Sequence, residues 1–277
     1  MTDTVQAHVT ADGIDAEVNY IVDDGVPPVR YVDWPEQEHN THRASYESRT
    51  VRIRNGRCCS ETFTLASHGF TFLSHHSAVR DFYDEDEVVR TYYPETAALI
   101  KEHTGAKRVH VFDHTLRTAD KGRLAERWIR TPVHGAHNDY TERSAPQRLR
   151  DFLPDEADEL LNRRFGIVQT WRPINQPVQS EPLALIDGKT IPKIGFIPYQ
   201  RRYRHRTGET YHIAYSPEHR WYYFPRMTRD EVIVFKVFDT EPDAGVQFTA
   251  HSAINDPTTP PNAPVRESIE MRALVFY

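Results

Sequence analysis

Two histidines and one aspartate in this 277-residue chain have the order expected of a metal site. His137 and Asp139 are separated by one residue, and His251 lies in the last part of the chain. Residues two apart in a strand point to the same side, so His137 and Asp139 can approach one ion together. Two imidazoles and one carboxylate on one face of Fe(II) leave positions open for a co-substrate and O2. The three residues therefore indicate iron-dependent oxygen chemistry.

The choice of His251 as the second histidine depends on the residues C-terminal to it. The triplet that contains His137 and Asp139 is a weak signal alone, because fifteen histidines and forty acidic residues give about two His-x-acid triplets by chance. Four later histidines could complete the set: His205, His212, His219 and His251. Only His251 precedes a Pro-rich turn and then a strand-like segment with polar residues on one face. We therefore predict His251 as the third ligand.

The polar face of that last segment predicts a site for a 2-oxo acid. Arg266, Ser268, Glu270 and Arg272 alternate with apolar residues, and burying such a face is costly without a partner. An arginine can hold a carboxylate through two hydrogen bonds. We expect Arg266, with Ser268 beside it, to bind the distal carboxylate. Arg272 is the rival on the same face, and internal ion pairs are the alternative explanation.

Two further residues are predicted to contact the substrate. Tyr140 directly follows the metal aspartate, and Arg172 lies on a predicted strand that should line the same barrel. An aromatic and a basic side chain near iron could orient a small molecule, although a tyrosine on a strand is often part of the core. The basic run at 201–206 could screen an anionic substrate, but charge runs are usually solvated, so a solvated hairpin loop is expected.

Strand-like sequence recurs along the whole chain. Segments rich in β-branched and aromatic residues lie at 50–54, 108–112, 165–171, 231–238 and 269–275. Helices are predicted at 93–104, with Gly105 as the cap, and at 154–164. The pattern predicts a mostly β fold, a double-stranded β-helix or cupin-like jelly roll with a few packing helices. We expect one domain over 1–277, with N-terminal strands and loops at 1–65 and the jelly-roll core at 66–277.

Composition limits the partners of the chain. A net charge of −6 and interspersed basic and acidic residues argue against nucleic-acid binding. No apolar run is long enough to cross a membrane, and Met1–Thr4 does not begin a secretory signal, so a cytoplasmic location is expected. The adjacent Cys58 and Cys59 are expected to be reduced thiols. A small-molecule substrate is the expected partner, and a homo-oligomer is compatible with the sequence.

Several motifs from about Gly69 to the C-terminus carry a family resemblance. They are His137-Asn138-Asp139-Tyr140-Thr141, Trp171-Arg172-Pro173-Ile174, Pro182-Leu183-Ala184, Trp221-Tyr222-Tyr223-Phe224-Pro225, Phe235-Lys236-Val237-Phe238-Asp239, and His251 with Arg266-Glu267-Ser268-Ile269-Glu270-Met271-Arg272. Through these motifs the chain resembles the iron/2-oxoglutarate oxygenases related to the aspergillic-acid hydroxylase/desaturase and the cephamycin methoxylase small subunit. The resemblance implies a jelly-roll core, Fe(II) on His137, Asp139 and His251, and 2-oxoglutarate on Arg266 or Arg272. It also implies hydroxylation, desaturation or cyclisation of a small molecule in secondary metabolism, with O2 consumed and succinate and CO2 formed.

Two other functions remain open on the sequence alone. A metal dioxygenase or isomerase that needs no 2-oxo acid would form no succinate. A non-catalytic jelly-roll binding protein would have the same fold but no use for the metal ligands.

Overall fold

The computed structural model describes residues 9–125 and 129–277. The segment Met1–Thr4, on which the expectation about a secretory signal rests, lies outside the described residues. The described strands are β1 (Val9–Thr10), β2 (Gly13–Ile21), β3 (Val29–Tyr31), β4 (Tyr46–Asn55), β5 (Phe70–Ser74), β6 (Arg108–Thr118), β7 (Ile129–Arg130), β8 (His137–Asn138), β9 (Phe165–Pro173), β10 (Leu183–Ile186), β11 (Phe196–Arg202), β12 (Thr207–Ile213), β13 (Trp221–Tyr223), β14 (Glu231–Asp239), β15 (His251–Ala253) and β16 (Glu267–Phe276).

The helices are short and lie between the strands. They are α1 (Glu85–Glu87), a π-helical turn (Val88–Tyr92), α2 (Tyr93–Thr104), α3 (Ser144–Phe152) and α4 (Ala157–Leu160). Single 3-10 turns occupy Pro35–Asn40, Arg123–Ala125, Pro154–Glu156, Gly188–Thr190, Lys193–Gly195 and Pro242–Ala244.

The strands form two sheets. One has ten strands in the order β1-β2-β4-β13-β10-β15-β8-β12-β11-β3, and the other has six in the order β5-β14-β9-β16-β6-β7. From β8 to β10 and again from β13 to β16, the chain passes from one sheet to the other at each step. This exchange between two facing sheets is the pattern of a jelly roll. The expectation of a mostly β, jelly-roll fold with a few helices is confirmed.

The six-stranded sheet is buried on both faces at its centre. All nine residues of β9 are buried, and β14 and β16 flank it on either side. On the outer face, Leu99 and Ile100 of α2 belong to the same apolar cluster as Val168 of β9. Because both faces of the sheet are covered, β9 has no polar face that would distinguish its inner side from its outer side.

The predicted helices agree only in part with the structure. The first is α2, which ends at a left-handed Gly105 (φ 70°) whose N–H donates to the Lys101 carbonyl. The second is shorter than 154–164, because after α4 the chain turns through Asn162 and Arg163 to enter β9 at Phe165. None of the helices in the described part of the chain is long and apolar enough to cross a membrane.

Strands from the first 65 residues complete the ten-stranded sheet. β2 pairs with β4 over nine residue pairs, and β4 continues the sheet through a parallel pairing with β13. The buried Trp221 of β13 donates from its indole N–H to the Tyr20 hydroxyl of β2 at 2.7 Å. The N-terminal strands therefore share hydrogen bonds and core with the strands that carry the predicted ligands.

Candidate functional site

The structure brings the three predicted metal ligands together. His137 of β8 is the cross-strand partner of His251 in β15, and Asp139 follows β8 directly. One donor atom from each residue lies within 4.8 Å of the others, and His137 Nε2 is 3.5 Å from Asp139 Oδ1. Adjacent donors on an ion with bonds of about 2.1 Å are roughly 3 Å apart, so small side-chain rotations suffice. No other His, Cys, Asp or Glu cluster in the described residues converges this way.

A hydrogen bond at His137 and burial at His251 prepare the two imidazoles to bind a metal. His137 Nδ1 donates to the Gly135 carbonyl at 2.7 Å, which leaves the lone pair of Nε2 free on the Asp139 side. Burial, reinforced by the nearby His137, lowers the pKa of His251 to about 4. His251 is therefore uncharged at neutral pH, the form in which imidazole binds a metal.

Asp139 is held by two side chains from the six-stranded sheet. Gln169 Nε2 donates to Asp139 Oδ2 at 2.8 Å, and Arg272 Nε donates to the same oxygen at 3.4 Å. Burial opposes ionisation, but the neighbouring His137 and the charge of Arg272 hold the pKa of Asp139 well below its usual range. The carboxylate is therefore ionised, with Oδ1 left toward His137. This donor set suits Fe(II).

Arg272 is fully engaged inside the protein. Besides Asp139, its guanidinium donates to Asp113 at 2.9 Å, to Thr115 at 3.0 Å and to the Glu270 carboxylate. Nearby carboxylates outweigh burial and raise its pKa. Arg272 is thus an internal ion-pair partner that orients Asp139. For this residue the structure agrees with the alternative explanation of the polar face, internal ion pairs.

Arg266 lies in a narrow cleft next to His251, and Ser268 follows it as the second residue of β16. Arg266 is buried just before β16 and donates through Nη1 to the Glu181 carbonyl at 2.5 Å. Burial lowers its pKa to about 10, so the guanidinium stays charged at neutral pH. Two buried donors of the cleft, Arg266 Nε and Trp171 Nε1, have no partner among the described residues, and neither has Ser268 Oγ, two residues after Arg266. Unsatisfied buried donors are costly, so this cleft fits a bound carboxylate.

A cavity of about 600 Å³ opens in front of His137 and Asp139. Tyr140 is buried in its wall, and Arg272 lies at the metal end. The side walls come from α3 and from the hairpin of β11 and β12, including Arg148, Tyr199, Arg201 and Arg206. The cavity is large enough for a small organic molecule, since ligand sites commonly occupy 300 to 1,000 Å³.

His212, one of the four later histidines considered as a ligand, lies in the cavity wall outside the ligand cluster. It is the β12 partner of His137, on the side opposite His251, and the two rings have centroids 6.1 Å apart. Its Nδ1 is 3.0 Å from the Tyr46 hydroxyl, and its ring lies 4.7 Å from that of Tyr199. Sheet order brings three histidines into one row, and His212 is directed to Tyr46 instead of the ligand cluster.

Arg172 lies away from the cavity. Its neighbours Trp171 and Gln169 face the inside of the barrel, so strand alternation turns Arg172 to the outer face of β9. There it donates to His75 Nδ1 at 2.5 Å and to the His75 carbonyl at 3.1 Å, and it covers the Tyr92 ring. The structure does not bring Arg172 to the other predicted site residues.

We expect Arg172→Ala to destabilise the fold while leaving Fe(II) binding intact. The substitution removes a fully buried side chain and its bonds to His75, which costs on the order of 2 kcal/mol or more. Urea unfolding and Fe(II) titration measure the two effects. Arg90→Ala, at an exposed position, is the control and should change stability by less than about 0.5 kcal/mol. An Arg172→Ala protein of normal stability that binds Fe(II) poorly would contradict this placement.

The residues that orient Asp139 were missed or left without a role by sequence reasoning. Gln169 is a polar residue in the middle of a largely apolar strand, which is a usable signal for a buried hydrogen bond. Asn138 is fully buried and donates to the Tyr140 and Val237 carbonyls, which fixes the loop after β8. Asp113 gave no signal, because its approach to Arg272 depends on the register of β6 against β16.

Comparison with known proteins agrees with this geometry. The family model described as an oxidoreductase/YMDC permease-like domain matches residues 18–276. The hydroxylase/desaturase efuI of Hormonema carpetanum is 30% identical over 297 residues, covering 98% of this chain and 97% of that protein. The Fe(II)/2-oxoglutarate-dependent dioxygenase nvfI of Aspergillus novofumigatus is 34% identical over 235 residues, covering 82% of each chain.

A solved structure extends the similarity to the whole fold. The iron and alpha-ketoglutarate-dependent endoperoxidase NvfI superposes with a TM-score of 0.86 at 28% identity, covering 96% of this chain and 99% of that chain. The family resemblance noted in the sequence and the expected cofactors are confirmed. The chain belongs to the family of Fe(II)/2-oxoglutarate-dependent oxygenases that includes the fungal hydroxylase/desaturases.

Proposed function

We propose that this chain oxidises a small molecule of secondary metabolism by hydroxylation, desaturation or cyclisation. The observation that carries the proposal is the convergence of His137, Asp139 and His251 at the end of a cavity of about 600 Å³. Beside it lies a cleft with two buried donors that have no partner among the described residues. Such an oxygenase needs three parts at one place: ligands for the metal, a cleft that can bind a carboxylate and a cavity large enough for the substrate.

In this proposal His137, Asp139 and His251 hold Fe(II). The Gly135 carbonyl fixes the His137 tautomer, and Gln169 and Arg272 fix the second oxygen of Asp139. Such partners of metal ligands keep the ligands oriented before the metal arrives.

Arg266 would hold the distal carboxylate of 2-oxoglutarate, with the Ser268 hydroxyl beside it. Two facts favour Arg266 over Arg272. The Nε of Arg266 has no partner among the described residues, whereas Arg272 already donates to three carboxylates. When bound, Fe(II) and 2-oxoglutarate supply the oxidising chemistry, in which O2 converts the oxo acid to succinate and CO2 while a substrate C–H bond is oxidised.

The walls of the cavity would orient the substrate. Tyr140 lies beside Asp139, and its hydroxyl makes no hydrogen bond within the described residues. Burial raises the pKa of Tyr140, so the hydroxyl stays protonated and can donate at neutral pH. The buried aromatic side chain also limits the water that reaches the metal end of the cavity.

The direct test is a survey of candidate metabolites with Fe(II), 2-oxoglutarate and air. Succinate and substrate mass are followed together. Gain of one oxygen atom means hydroxylation, and loss of two hydrogen atoms means desaturation or ring closure. Substrate conversion without succinate would instead indicate a dioxygenase or isomerase that needs no 2-oxo acid, and a protein that binds no Fe(II) would refute the proposal.

We expect Tyr140→Phe to change substrate affinity or product ratio without affecting the cofactors. Loss of one hydrogen bond costs about 1 kcal/mol, which corresponds to roughly fivefold in affinity. The measurement is KM and product ratio for the substrate found in the survey, with Fe(II) and 2-oxoglutarate titrations alongside. Wild-type kinetics would remove Tyr140 from the substrate site, and a matching loss of 2-oxoglutarate binding would assign it to the co-substrate.

We further propose that 1–277 acts as one domain in the cytoplasm. The hydrogen bonds that join β2 and β4 to the other strands of the ten-stranded sheet support a single domain. Two adjacent free cysteines, Cys58 and Cys59, are compatible with a reducing compartment. Limited proteolysis and cell fractionation test the two parts separately.

A further inference from the structure

The basic run at 201–206 forms the tip of the hairpin that overhangs the cavity. Arg201 and Arg202 end β11, and the Tyr203 N–H donates to the Arg206 carbonyl at 2.8 Å to close the turn into β12. Glu209 anchors the hairpin, because its carboxylate accepts from Thr141 at 2.6 Å and from Gln200 at 2.7 Å. The tip is therefore held at the mouth of the cavity.

The four arginines of this run fall into two pairs. Arg202 and Arg204 do not line the cavity and have partners in the protein, the Tyr31 hydroxyl at 3.1 Å and the Glu36 carboxylate at 2.7 Å. Arg201 and Arg206 line the cavity, stacked at 5.8 Å on Tyr199 and at 4.3 Å on Tyr203. Neither of these two forms an ion pair with a carboxylate within the described residues.

The other arginines of the cavity wall are already matched by carboxylates. Arg272 donates to Asp113, Arg117 donates to Glu270, and Arg148 on α3 lies 3.5 Å from Asp151. The carboxylates that line the cavity are Asp113, Asp139, Asp151 and Glu209, and each accepts a hydrogen bond from a side chain of the protein. Arg201 and Arg206 are thus the cations of the described wall that no carboxylate neutralises.

We propose that the molecule oxidised carries an acidic group, which Arg201 and Arg206 bind at the mouth of the cavity. This inference rests on the proposed function, since it assigns the chemistry of the substrate for the same site. A guanidinium stacked on an aromatic ring keeps its N–H edge free and matches a carboxylate or sulfonate in geometry and charge. The acidic group would anchor one end of the molecule while the carbon to be oxidised reaches the metal end.

A pair of fluorescent dyes tests the inference before the substrate is known. Anilinonaphthalene sulfonate is an anion, and phenylnaphthylamine has the same rings without the sulfonate. Both are titrated into protein loaded with Fe(II) and saturating 2-oxoglutarate in the absence of O2, so that the co-substrate cleft is filled. We expect the sulfonate to bind at least about tenfold more tightly than the neutral dye.

The double variant Arg201→Gln/Arg206→Gln should lose this preference, with the Kd of the sulfonate rising to that of the neutral dye. Arg204→Gln, in the same turn but paired with Glu36, is the matched control and should keep it. An equal Kd for the two dyes in the wild-type protein, or an unchanged preference in a double variant that still binds Fe(II) and 2-oxoglutarate, would overturn the inference. Failure of the wild-type protein to bind Fe(II) and 2-oxoglutarate would instead refute the proposed function. Should the double variant not fold, the wild-type comparison of the two dyes still decides.

Discussion

Asp139→Asn is expected to abolish succinate formation and to weaken Fe(II) binding by roughly a hundredfold or more. The amide has the shape of the carboxylate but lacks its charge. It would also place an N–H₂ group toward either the metal or the donors Gln169 and Arg272. The same substitution would leave Arg272 with one carboxylate fewer in a buried network, so some loss of stability should accompany the loss of metal.

Fe(II) titration by calorimetry and succinate analysis measure the effect. Asp230→Asn is the control, because Asp230 lies at the surface and pairs with the exposed His76. His137→Ala and His251→Ala should behave like Asp139→Asn. Full coupled turnover in the Asp139 variant would mean that the assignment of the metal ligands is wrong.

Much of this site follows from local sequence. The alternation of polar and apolar residues from Arg266 through β16 placed Arg266, Ser268 and Arg272 on one face, because an extended chain turns successive side chains to opposite sides. The same rule placed His137 and Asp139 on one side of β8. The jelly roll was also predictable, since many short strands separated by polar turns have few other ways to bury two sheets.

The remaining features depend on sheet order and register, which one sequence does not reveal. Arg172 was expected in the cavity. Because β9 is buried on both faces, its sequence does not indicate which alternate side chains point into the barrel. His212 lies beside His137 only because β12 neighbours β8. The basic hairpin was expected to be solvated, and three of its arginines, Arg201, Arg204 and Arg206, are exposed. Which loops meet above the metal is nevertheless set by tertiary structure.

Arg266→Gln is expected to weaken 2-oxoglutarate binding at least tenfold while Fe(II) binding is kept. A buried charge pair that loses one partner costs on the order of 2 to 5 kcal/mol, and each 1.4 kcal/mol corresponds to about tenfold in affinity. Arg266 lies in the cleft beside His251, and its hydrogen bond goes to the Glu181 carbonyl and not to a metal ligand. The geometry of the three metal ligands should therefore be unchanged.

Arg272→Gln should give the opposite pattern, which separates the two arginines. Arg272 supports Asp139 directly, so its loss is expected to weaken Fe(II) binding first, and 2-oxoglutarate binding only through the metal. Anaerobic calorimetry with Fe(II) and then with 2-oxoglutarate measures both. If Arg272→Gln keeps Fe(II) but loses 2-oxoglutarate while Arg266→Gln keeps both, the co-substrate role belongs to Arg272.

A second oxo acid shows whether Arg266 recognises the distal carboxylate itself. 2-Oxopentanoate has the chain length of 2-oxoglutarate but ends in a methyl group, so it can bind the metal without pairing with an arginine. The wild-type protein should prefer 2-oxoglutarate by about tenfold or more, and Arg266→Gln should remove most of that difference. A structural role for Arg266 would weaken both acids equally and leave their ratio unchanged, so the ratio of the two affinities identifies the guanidinium as the carboxylate partner.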